Sequence, residues 1–213
     1  MDIPAHGHGG PVTLPSRAAD IMTSTPEQRA ALRTELRARR KAFVESLSPA
    51  ERNLSFRVLP SPILQMIAPG ARIALYAPVG SEAPTEALAW FLHDRGWPLC
   101  LPRLLPGDAA LMDFGAWTPE EALVPGPKRI PQPSPTAEAV TPDIVFTPLV
   151  GFDSQLNRLG QGGGNYDRIF ARLPDAMRIG LAWSAQMVDS LDVEPWDMPL
   201  HMVITEKSFF TPV

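Results

Sequence analysis

Residues 143–168, Asp143-Ile-Val-Phe-Thr-Pro-Leu-Val-Gly-Phe-Asp-Ser-Gln-Leu-Asn-Arg-Leu-Gly-Gln-Gly-Gly-Gly-Asn-Tyr-Asp-Arg168, decide how this chain folds. The stretch opens with an apolar run over 143–147 that predicts a buried strand, and it ends in a helix predicted over 164–173. Four glycines lie within five positions between the two. Glycines let the backbone approach a phosphate closely, and a helix start presents free N–H groups to an anion. The alternative is a simple glycine-rich turn.

Short apolar runs on both sides of this stretch predict the rest of a sheet. Strands of five or six residues are expected at 72–77, 98–102, 143–147, 178–183 and 201–205. Helices are predicted between them at 84–95 and 164–173. Strands that alternate with helices, several of them continuously apolar, predict an α/β fold with a mostly parallel sheet and helices on both faces.

An N-terminal helical pair is predicted ahead of the sheet. Thr25 and Pro26 have the residue types of a helix start, and helix formers continue to about residue 47. Ser48-Pro-Ala-Glu51 has the pattern of a capping box and predicts a second helix that runs to about Met66. Residues 1–25 show neither the helical nor the strand period of apolar residues, which predicts a disordered extension.

Proline is abundant, with 25 residues in 213, and eight of them fall in 104–142. This segment is predicted to be a long ordered arm or lid with one hairpin, and not a second domain. The length and the 45% hydrophobic content favour one folded unit over 26–213. We expect a monomer.

Composition also limits the compartment and the partners. A single cysteine, Cys100, excludes an internal disulfide and fits a reducing cytoplasm. No apolar run approaches the ~20 residues of a membrane span, and the N-terminus lacks the pattern of a signal peptide. A net charge of -4 gives no global attraction to nucleic acid, so an anion-binding surface must be local.

Three acidic residues are candidates for chemistry at the carboxyl ends of predicted strands. Asp167, in the first helical turn after the glycines, is placed to hold a metal, although helix-start acids are common. Magnesium takes one or two carboxylates, and Asp197 is the candidate second ligand. Glu82 follows the first strand and suits a ligand rich in hydrogen-bond donors; its alternative is a neighbour of a helix N-cap.

The first predicted helix carries six basic residues between positions 29 and 41. Arg29 and Arg33 lie four apart and share one face, which suits an anion contact. The alternative is a solvated charged face. A nucleic-acid-binding module built on 29–41 is a further hypothesis, but no aromatic residues interleave the charges and the whole chain is acidic.

Several motifs together resemble the 5-formyltetrahydrofolate cyclo-ligase family, also called methenyltetrahydrofolate synthetase. The match extends from about Arg29 to Glu206, and its most specific part is Arg-Leu-Gly-Gln-Gly-Gly-Gly-Asn-Tyr-Asp-Arg at 158–168. The other matching segments are Arg29-Ala-Ala-Leu-Arg33, Gly80-Ser-Glu-Ala-Pro-Thr85, Leu101-Pro-Arg-Leu104, Ile130-Pro-Gln-Pro133, Gln186, Pro195-Trp-Asp197 and Thr205-Glu206.

The resemblance implies an ATP- and Mg²⁺-dependent conversion of 5-formyltetrahydrofolate to 5,10-methenyltetrahydrofolate, with release of ADP and phosphate. It assigns Arg158 and Asp167 to catalysis, Asp167 and Asp197 to the metal, and a reduced formyl-folate to Arg33, Glu82, Gln161 and Asn165. The residues that it assigns to the nucleotide are Arg29, Arg33, Arg158, Leu159, Gly160, Gln161, Gly162, Gly163, Gly164, Asn165 and Tyr166.

Three positions depart from the family pattern. Arg29 stands where lysine is usual, Gln161 where a basic or aromatic residue is usual, and Asn165 where an aromatic residue is usual. The last two motivate a second hypothesis, that of a diverged ATP-dependent paralogue with another substrate. The implied phosphoryl transfer needs positioning and charge neutralisation, so no catalytic triad is expected.

Overall fold

The structure is a computed structural model that describes residues 24–105 and 112–212. The extension predicted over 1–25 lies outside the described residues except for Ser24 and Thr25. Five α-helices are present in the described part: α1 (Pro26–Ser46), α2 (Pro49–Leu54), α3 (Ser61–Met66), α4 (Glu86–His93) and α5 (Asn165–Arg172). Thr25 caps α1, and Ser48 caps α2 through a capping box with Glu51, as the sequence predicts. Thr25 also forms a capping box with Gln28, which was not predicted.

Within the described residues the central sheet has seven strands: β1 (Ile73–Ala74), β2 (Leu99–Leu104), β3 (Met112–Ala116), β6 (Ile144–Pro148), β9 (Met177–Leu181), β10 (Met202–Ile204) and β11 (Phe209–Phe210). Their order across the sheet is β11-β10-β9-β6-β1-β2-β3. The four strand pairs from β10 to β2 are parallel, and the two edge strands β3 and β11 pair antiparallel. The predicted α/β fold is confirmed, and each of the five predicted strands is present.

Helices cover both faces of the sheet. On one face, Ile144 and Phe146 of β6 pack in a cluster with residues of α1, α3 and α4. On the opposite face, Val145 packs with Phe170 of α5. Because successive side chains of a strand point to opposite faces, the continuous apolar run in β6 is buried on both sides.

The second predicted helix is wrong in its length. α2 ends at Leu54, and α3 begins only at Ser61. Pro60 would fall in the interior of a single long helix, where it removes a hydrogen bond and clashes with the preceding turn. Phe56 has a φ of 57° in this break, and its ring packs edge-on at 5.0 Å from the ring of Trp183. Burial of Phe56 and the proline together divide the segment.

The proline-rich connection is more regular than predicted. Its start supplies the edge strand β3, and a second antiparallel pair joins β4 (Val124–Pro125) to β5 (Pro131–Gln132). Arg103 of β2 forms an ion pair with Asp113 of β3 at 2.8 Å. The same guanidinium donates to the carbonyls of Ser134, Pro135 and Ala137 and so fastens the connection to the sheet.

The single cysteine and the possibility of a membrane span, both considered from composition, can be located in the described residues. Cys100 is buried in β2, and burial raises the pKa of its thiol to about 12, so this thiol is unreactive in the folded protein. Within 24–105 and 112–212, no helix is both long enough and apolar enough to cross a membrane.

Candidate active site

The glycine-rich loop lies between a short strand and the start of α5. Chain residues after β6 form the pair β7 (Gly151–Phe152) and β8 (Arg158–Leu159), and the loop then leads to α5. Gly162 has a φ of +97°, and Gly164, the residue before α5, has a φ of +64°. Both values lie in the left-handed region that favours glycine. The loop therefore brings glycine backbone to a helix start on the carboxyl side of β6, a position where backbone N–H groups suit an anion.

Sheet order explains why distant segments meet at this loop. β9, β6 and β1 are neighbours, and all three run parallel. Their carboxyl ends lead to the loop that carries Asp197, to the glycine-rich loop, and to the turn that carries Glu82, respectively. Parallel neighbours bring such segments to one edge, which is where ligands bind in open α/β sheets.

Arg158 and Asp167 form a part-buried ion pair beneath the loop. Arg158 Nη2 donates to Asp167 Oδ1, and the two side chains are 5% and 19% exposed. The guanidinium carbon lies 5.0 Å from the centroid of the Phe170 ring. Arg158 Nε is buried and has no hydrogen-bond partner among the described residues. A buried donor without a partner is costly, so this nitrogen is a candidate ligand contact.

Arg29 and Asp197 form a second pair. Arg29 Nη2 donates to Asp197 Oδ2 at 3.0 Å, and Glu194 lies 3.7 Å from the same guanidinium. The two predicted metal ligands, Asp167 and Asp197, are thus each held by a different arginine. The described ranges contain no group of three or more histidine, cysteine, aspartate or glutamate side chains that could hold a metal by themselves.

The basic face of α1 is not simply solvated. Arg33 Nε donates to the carbonyl of Gly160 at 2.9 Å, and Arg37 donates to the side chain of Gln161 at 2.8 Å and 3.0 Å. Arg40 is buried and donates to Ser81 Oγ and to the carbonyl of Leu149. Spacings of four and three residues place these guanidinium groups on one face of α1. That face holds the glycine-rich loop against the turn after β1.

Glu82 lies next to the glycine-rich loop and does not cap α4. Its Oε2 accepts from the backbone N–H of Val79 at 3.0 Å, and its Oε1 accepts from Gln161 Nε2 at 3.2 Å. Burial raises the pKa of the Glu82 carboxyl, although the Val79 N–H, the charge of Arg40 and the Gln161 amide each act to lower it. Glu82 is therefore a half-buried acceptor at the edge where Asp197 and the loop meet.

Asn165 and Tyr166 occupy the first turn of α5. Arg168 Nη2 donates to Asn165 Oδ1 at 2.6 Å, so the amide is held against its own helix. The Tyr166 hydroxyl is hydrogen-bonded to Thr147, and burial raises the pKa of this hydroxyl. The Tyr166 ring lies 5.9 Å from the Phe170 ring, which fixes the first turn of α5 on the sheet.

Sequence reasoning missed three residues that build this site: Arg37, Arg40 and Ser81. The spacing of Arg33, Arg37 and Arg40 was the available signal, since positions at i, i+4 and i+7 share a helix face. What the sequence could not supply was the segment on which that face lies. Arg37 and Arg40 reach residues 124 and 109 positions away in the chain, respectively.

The fold and the site define an α/β protein with a glycine-rich loop at the carboxyl edge of a parallel sheet, flanked by two arginine–carboxylate pairs. The model of the 5-formyltetrahydrofolate cyclo-ligase family matches residues 25–206. The chain belongs to this family and is an enzyme of the cyclo-ligase type.

Named relatives and a solved structure agree with the family assignment. The chain is 36% identical over 138 residues to the 5-formyltetrahydrofolate cyclo-ligase of Haemophilus influenzae, which covers 62% of this chain and 74% of that protein. It is 34% identical over 139 residues to the 5-formyltetrahydrofolate cyclo-ligase of Escherichia coli, and this match covers 62% of this chain and 76% of that protein. The Aquifex aeolicus 5,10-methenyltetrahydrofolate synthetase superposes with a TM-score of 0.67 at 28% identity, covering 84% of this chain and 92% of that one.

Proposed function

We propose that this chain converts 5-formyltetrahydrofolate to 5,10-methenyltetrahydrofolate, consuming ATP with Mg²⁺ and releasing ADP and phosphate. The observation that carries the proposal is the buried Arg158 beneath a glycine-rich loop and a helix start, whose Nε has no hydrogen-bond partner within 24–105 and 112–212. A buried guanidinium donor at such a loop suits a phosphate oxygen, and Arg binds phosphates through several N–H groups. Membership of the cyclo-ligase family supplies the reaction.

The nucleotide is assigned to the loop and to α1. Backbone N–H groups of residues 159–166 face the phosphates in this assignment, because left-handed Gly162 and Gly164 keep that path free of side chains. Arg29 and Arg33 extend from α1 toward the same edge of the sheet and contribute positive charge. Arg158 completes the set from below the loop.

Asp167 and Asp197 fit the requirements of Mg²⁺. Both carboxylates are part-buried, with side-chain exposures of 19% and 15%. The arginine contacts engage Oδ1 of Asp167 and Oδ2 of Asp197, which leaves the other oxygen of each outside those ion pairs. Two carboxylates with phosphate oxygens and water form the usual ligand set of the ion. Bound Mg²⁺ supplies neutralisation of charge on the phosphate oxygens.

The two ion pairs also compensate charge in the free protein. Arg158 and Arg29 are held by the carboxylates assigned to the metal, so neither part-buried charge is left alone. When Asp167 and Asp197 turn to a cation, both guanidinium groups become available to phosphate oxygens. Metal and nucleotide are therefore expected to bind better together than separately.

The folate is assigned to Glu82, Arg33, Gln161 and Asn165. A carboxylate accepts hydrogen bonds from the ring N–H and amino groups of an aminopyrimidine, and Glu82 is the half-buried acceptor at this edge. Glu82 lies beside Gln161 of the loop, which supports a site for the reduced pterin next to that proposed for the phosphates.

The reaction requires the protein to position its two ligands and to neutralise charge. A formamide carbon is a poor electrophile, since the N5 lone pair is delocalised into the carbonyl. Attack of the formyl oxygen on the γ-phosphorus releases ADP, N10 then attacks the activated carbon, and phosphate departs with that oxygen while N10 loses its proton. Arg158 and Asp167, at the reacting phosphoryl group, are the catalytic residues in this scheme. The other groups hold two ligands in line.

The test of this proposal is direct. Purified protein with ATP, Mg²⁺ and 5-formyltetrahydrofolate is expected to generate the ultraviolet absorbance of the methenyl product. No signal at high enzyme concentration would overturn the proposal. With ¹⁸O in the formyl group, the released phosphate is expected to carry one labelled oxygen; unlabelled phosphate would contradict activation through the formyl oxygen.

A diverged paralogue with another substrate is the second candidate function. Asn165 favours it, because an amide held by Arg168 offers no aromatic surface for stacking where the family usually has one. ATP-dependent phosphate release with a different acceptor, and none with formyl-folate, would support this candidate. The nucleic-acid hypothesis has less support, because Arg37, Arg39 and Arg40 all donate hydrogen bonds within the protein. A reducing cytoplasm and a monomeric state stay predictions.

A further inference from the structure

Arg37 of α1 holds both the backbone and the side chain of Gln161. Its Nε and Nη2 donate to Gln161 Oε1 at 3.0 Å and 2.8 Å, and Nη2 also approaches the Gln161 carbonyl at 3.4 Å. One helical turn earlier, Arg33 holds the adjacent carbonyl of Gly160. The loop residue at position 161 is therefore fixed by α1 rather than by its own segment.

The hydrogen bonds from Arg37 determine the orientation of the Gln161 side-chain amide. A guanidinium has only donors, so it requires the amide oxygen to face it, and the amide NH₂ must then point away. The NH₂ meets Glu82 Oε1 at 3.2 Å. An ionised carboxylate only accepts, so the alternative amide orientation would place two donors together and two acceptors together. The order Arg37, Gln161, Glu82 satisfies every group.

The groups around Glu82 come from several segments of the chain, and they contact its two carboxylate oxygens differently. Oε2 of Glu82 is bound by the Val79 N–H at 3.0 Å, while Oε1 is reached by Gln161. Arg40 of α1 interacts with Glu82 through its charge. Tyr76, two residues beyond the end of β1, and Tyr166 of α5 also interact electrostatically with the Glu82 carboxylate. Of these groups, Gln161 alone belongs to the glycine-rich loop and donates directly to Oε1.

We propose that Arg37 and Gln161 are positioning residues for the folate site, with Arg37 orienting the Gln161 amide so that it donates to Glu82 and keeps that carboxylate aimed and ionised for the pterin ring. This inference rests on the proposed function. It explains how the chain uses glutamine where the family usually has a basic or aromatic residue. A basic side chain would reach Glu82 unaided, whereas a glutamine needs Arg37 to orient it.

The experiment compares Gln161→Met, Arg37→Met, the double variant and Gln161→Lys by steady-state kinetics across pH. Gln161→Met removes the donor to Glu82, so KM for 5-formyltetrahydrofolate is expected to rise roughly tenfold, the value of one hydrogen bond to a charged group. The acid limb of kcat/KM for the folate moves to higher pH, because the ionised form of Glu82 loses a donor. KM for ATP is expected to change much less.

Arg37→Met is expected to raise KM for the folate in the same direction, and the double variant is expected to be no worse than Gln161→Met, since both act through one bond. Gln161→Lys restores a donor that does not depend on Arg37 and is expected to recover the wild-type acid limb. Arg39→Met is the matched control, because Arg39 lies on the same helix but donates to the Met187 carbonyl. Its acid limb is expected to stay in place.

Additive effects of the two methionine variants, or an unmoved acid limb in Gln161→Met, would overturn the inference. Equal increases in KM for ATP and folate would also overturn it, since they indicate general damage to the loop. Wild-type protein that forms no methenyl product would instead overturn the proposed function, so the two failures are distinguishable.

Discussion

Asp167 and Arg158, nine positions apart, form an ion pair that joins the first turn of α5 to the strand before the glycine-rich loop. Arg158 Nε stays outside this pair and is buried, with no hydrogen-bond partner in the part of the chain that the structure describes. Both residues are assigned to the reacting phosphoryl group under the proposed function. The ion pair therefore sets the charge of the site before ligands arrive.

Asp167→Asn is expected to lower kcat by on the order of 100-fold or more, the usual loss when one preorganised charge at a phosphoryl group is removed. The same change is expected to tighten binding of ATP without metal, because Arg158 no longer has a carboxylate that competes with phosphate. Isothermal titration with ATP in the presence of a chelator measures this binding.

Asp175→Asn is the matched control for that titration, since Asp175 is exposed just beyond α5. It is expected to leave ATP affinity unchanged. Weaker binding of metal-free ATP to Asp167→Asn would contradict the compensating role of the ion pair, and full activity of this variant would remove Asp167 from the metal site.

Gly162→Ala is expected to cost about 1–2 kcal/mol of the free energy of unfolding, because an alanine at a φ of +97° is strained. Its Cβ would also lie 3.4 Å from the Arg33 guanidinium carbon. Gly163→Ala is the matched control, since the nearest described atoms to its Cβ would be those of the Asn165 side chain, at 3.8 Å, and its φ is not in the left-handed region. In urea unfolding, the free energy of unfolding of this control is expected to lie within about 0.5 kcal/mol of that of wild type. Equal losses of unfolding free energy in both variants would contradict the strain assigned to position 162.

Glu82→Gln is expected to stabilise the protein at neutral pH while it weakens folate binding roughly 10- to 100-fold. Burial raises the pKa of Glu82 above the ordinary glutamate value of 4.5. The folded state therefore binds the proton more tightly, and the resulting stabilisation is present below 4.5 and lost as pH rises through the folded pKa. At neutral pH the buried carboxylate costs stability, which the amide removes.

Urea unfolding of Glu82→Gln at neutral and acid pH checks this sign, with Glu86→Gln at the exposed start of α4 as the control. The gain in stability is expected at neutral pH and is expected to shrink toward pH 4. A loss of stability at neutral pH would show that contacts to the carboxylate outweigh its burial.

Local signals in the sequence were sufficient for most of the fold. The capping box at Ser48, the buried run over 143–147 and the glycines before α5 each fix backbone geometry within a few residues. Errors arose where distant contacts decide the outcome. Phe56 turns inward to Trp183 and divides a predicted helix, and β3 becomes a strand by pairing with β2.

The candidate site shows the same division. The glycines and Asp167 are adjacent in sequence, and their proximity could be predicted. The guanidinium groups of Arg37 and Arg40 bind segments more than a hundred positions away, which depends on where α1 packs in the fold. Their spacing in the sequence indicates a shared helix face but not its partner.

The central claim is tested most directly by measuring ADP and methenyl product in one reaction that contains ATP, Mg²⁺ and 5-formyltetrahydrofolate. We predict one ADP for each methenyltetrahydrofolate formed, and neither product when the metal is chelated or ATP is omitted. Methenyl product without ADP would contradict the proposed phosphoryl transfer, and ADP without methenyl product would contradict the assigned substrate.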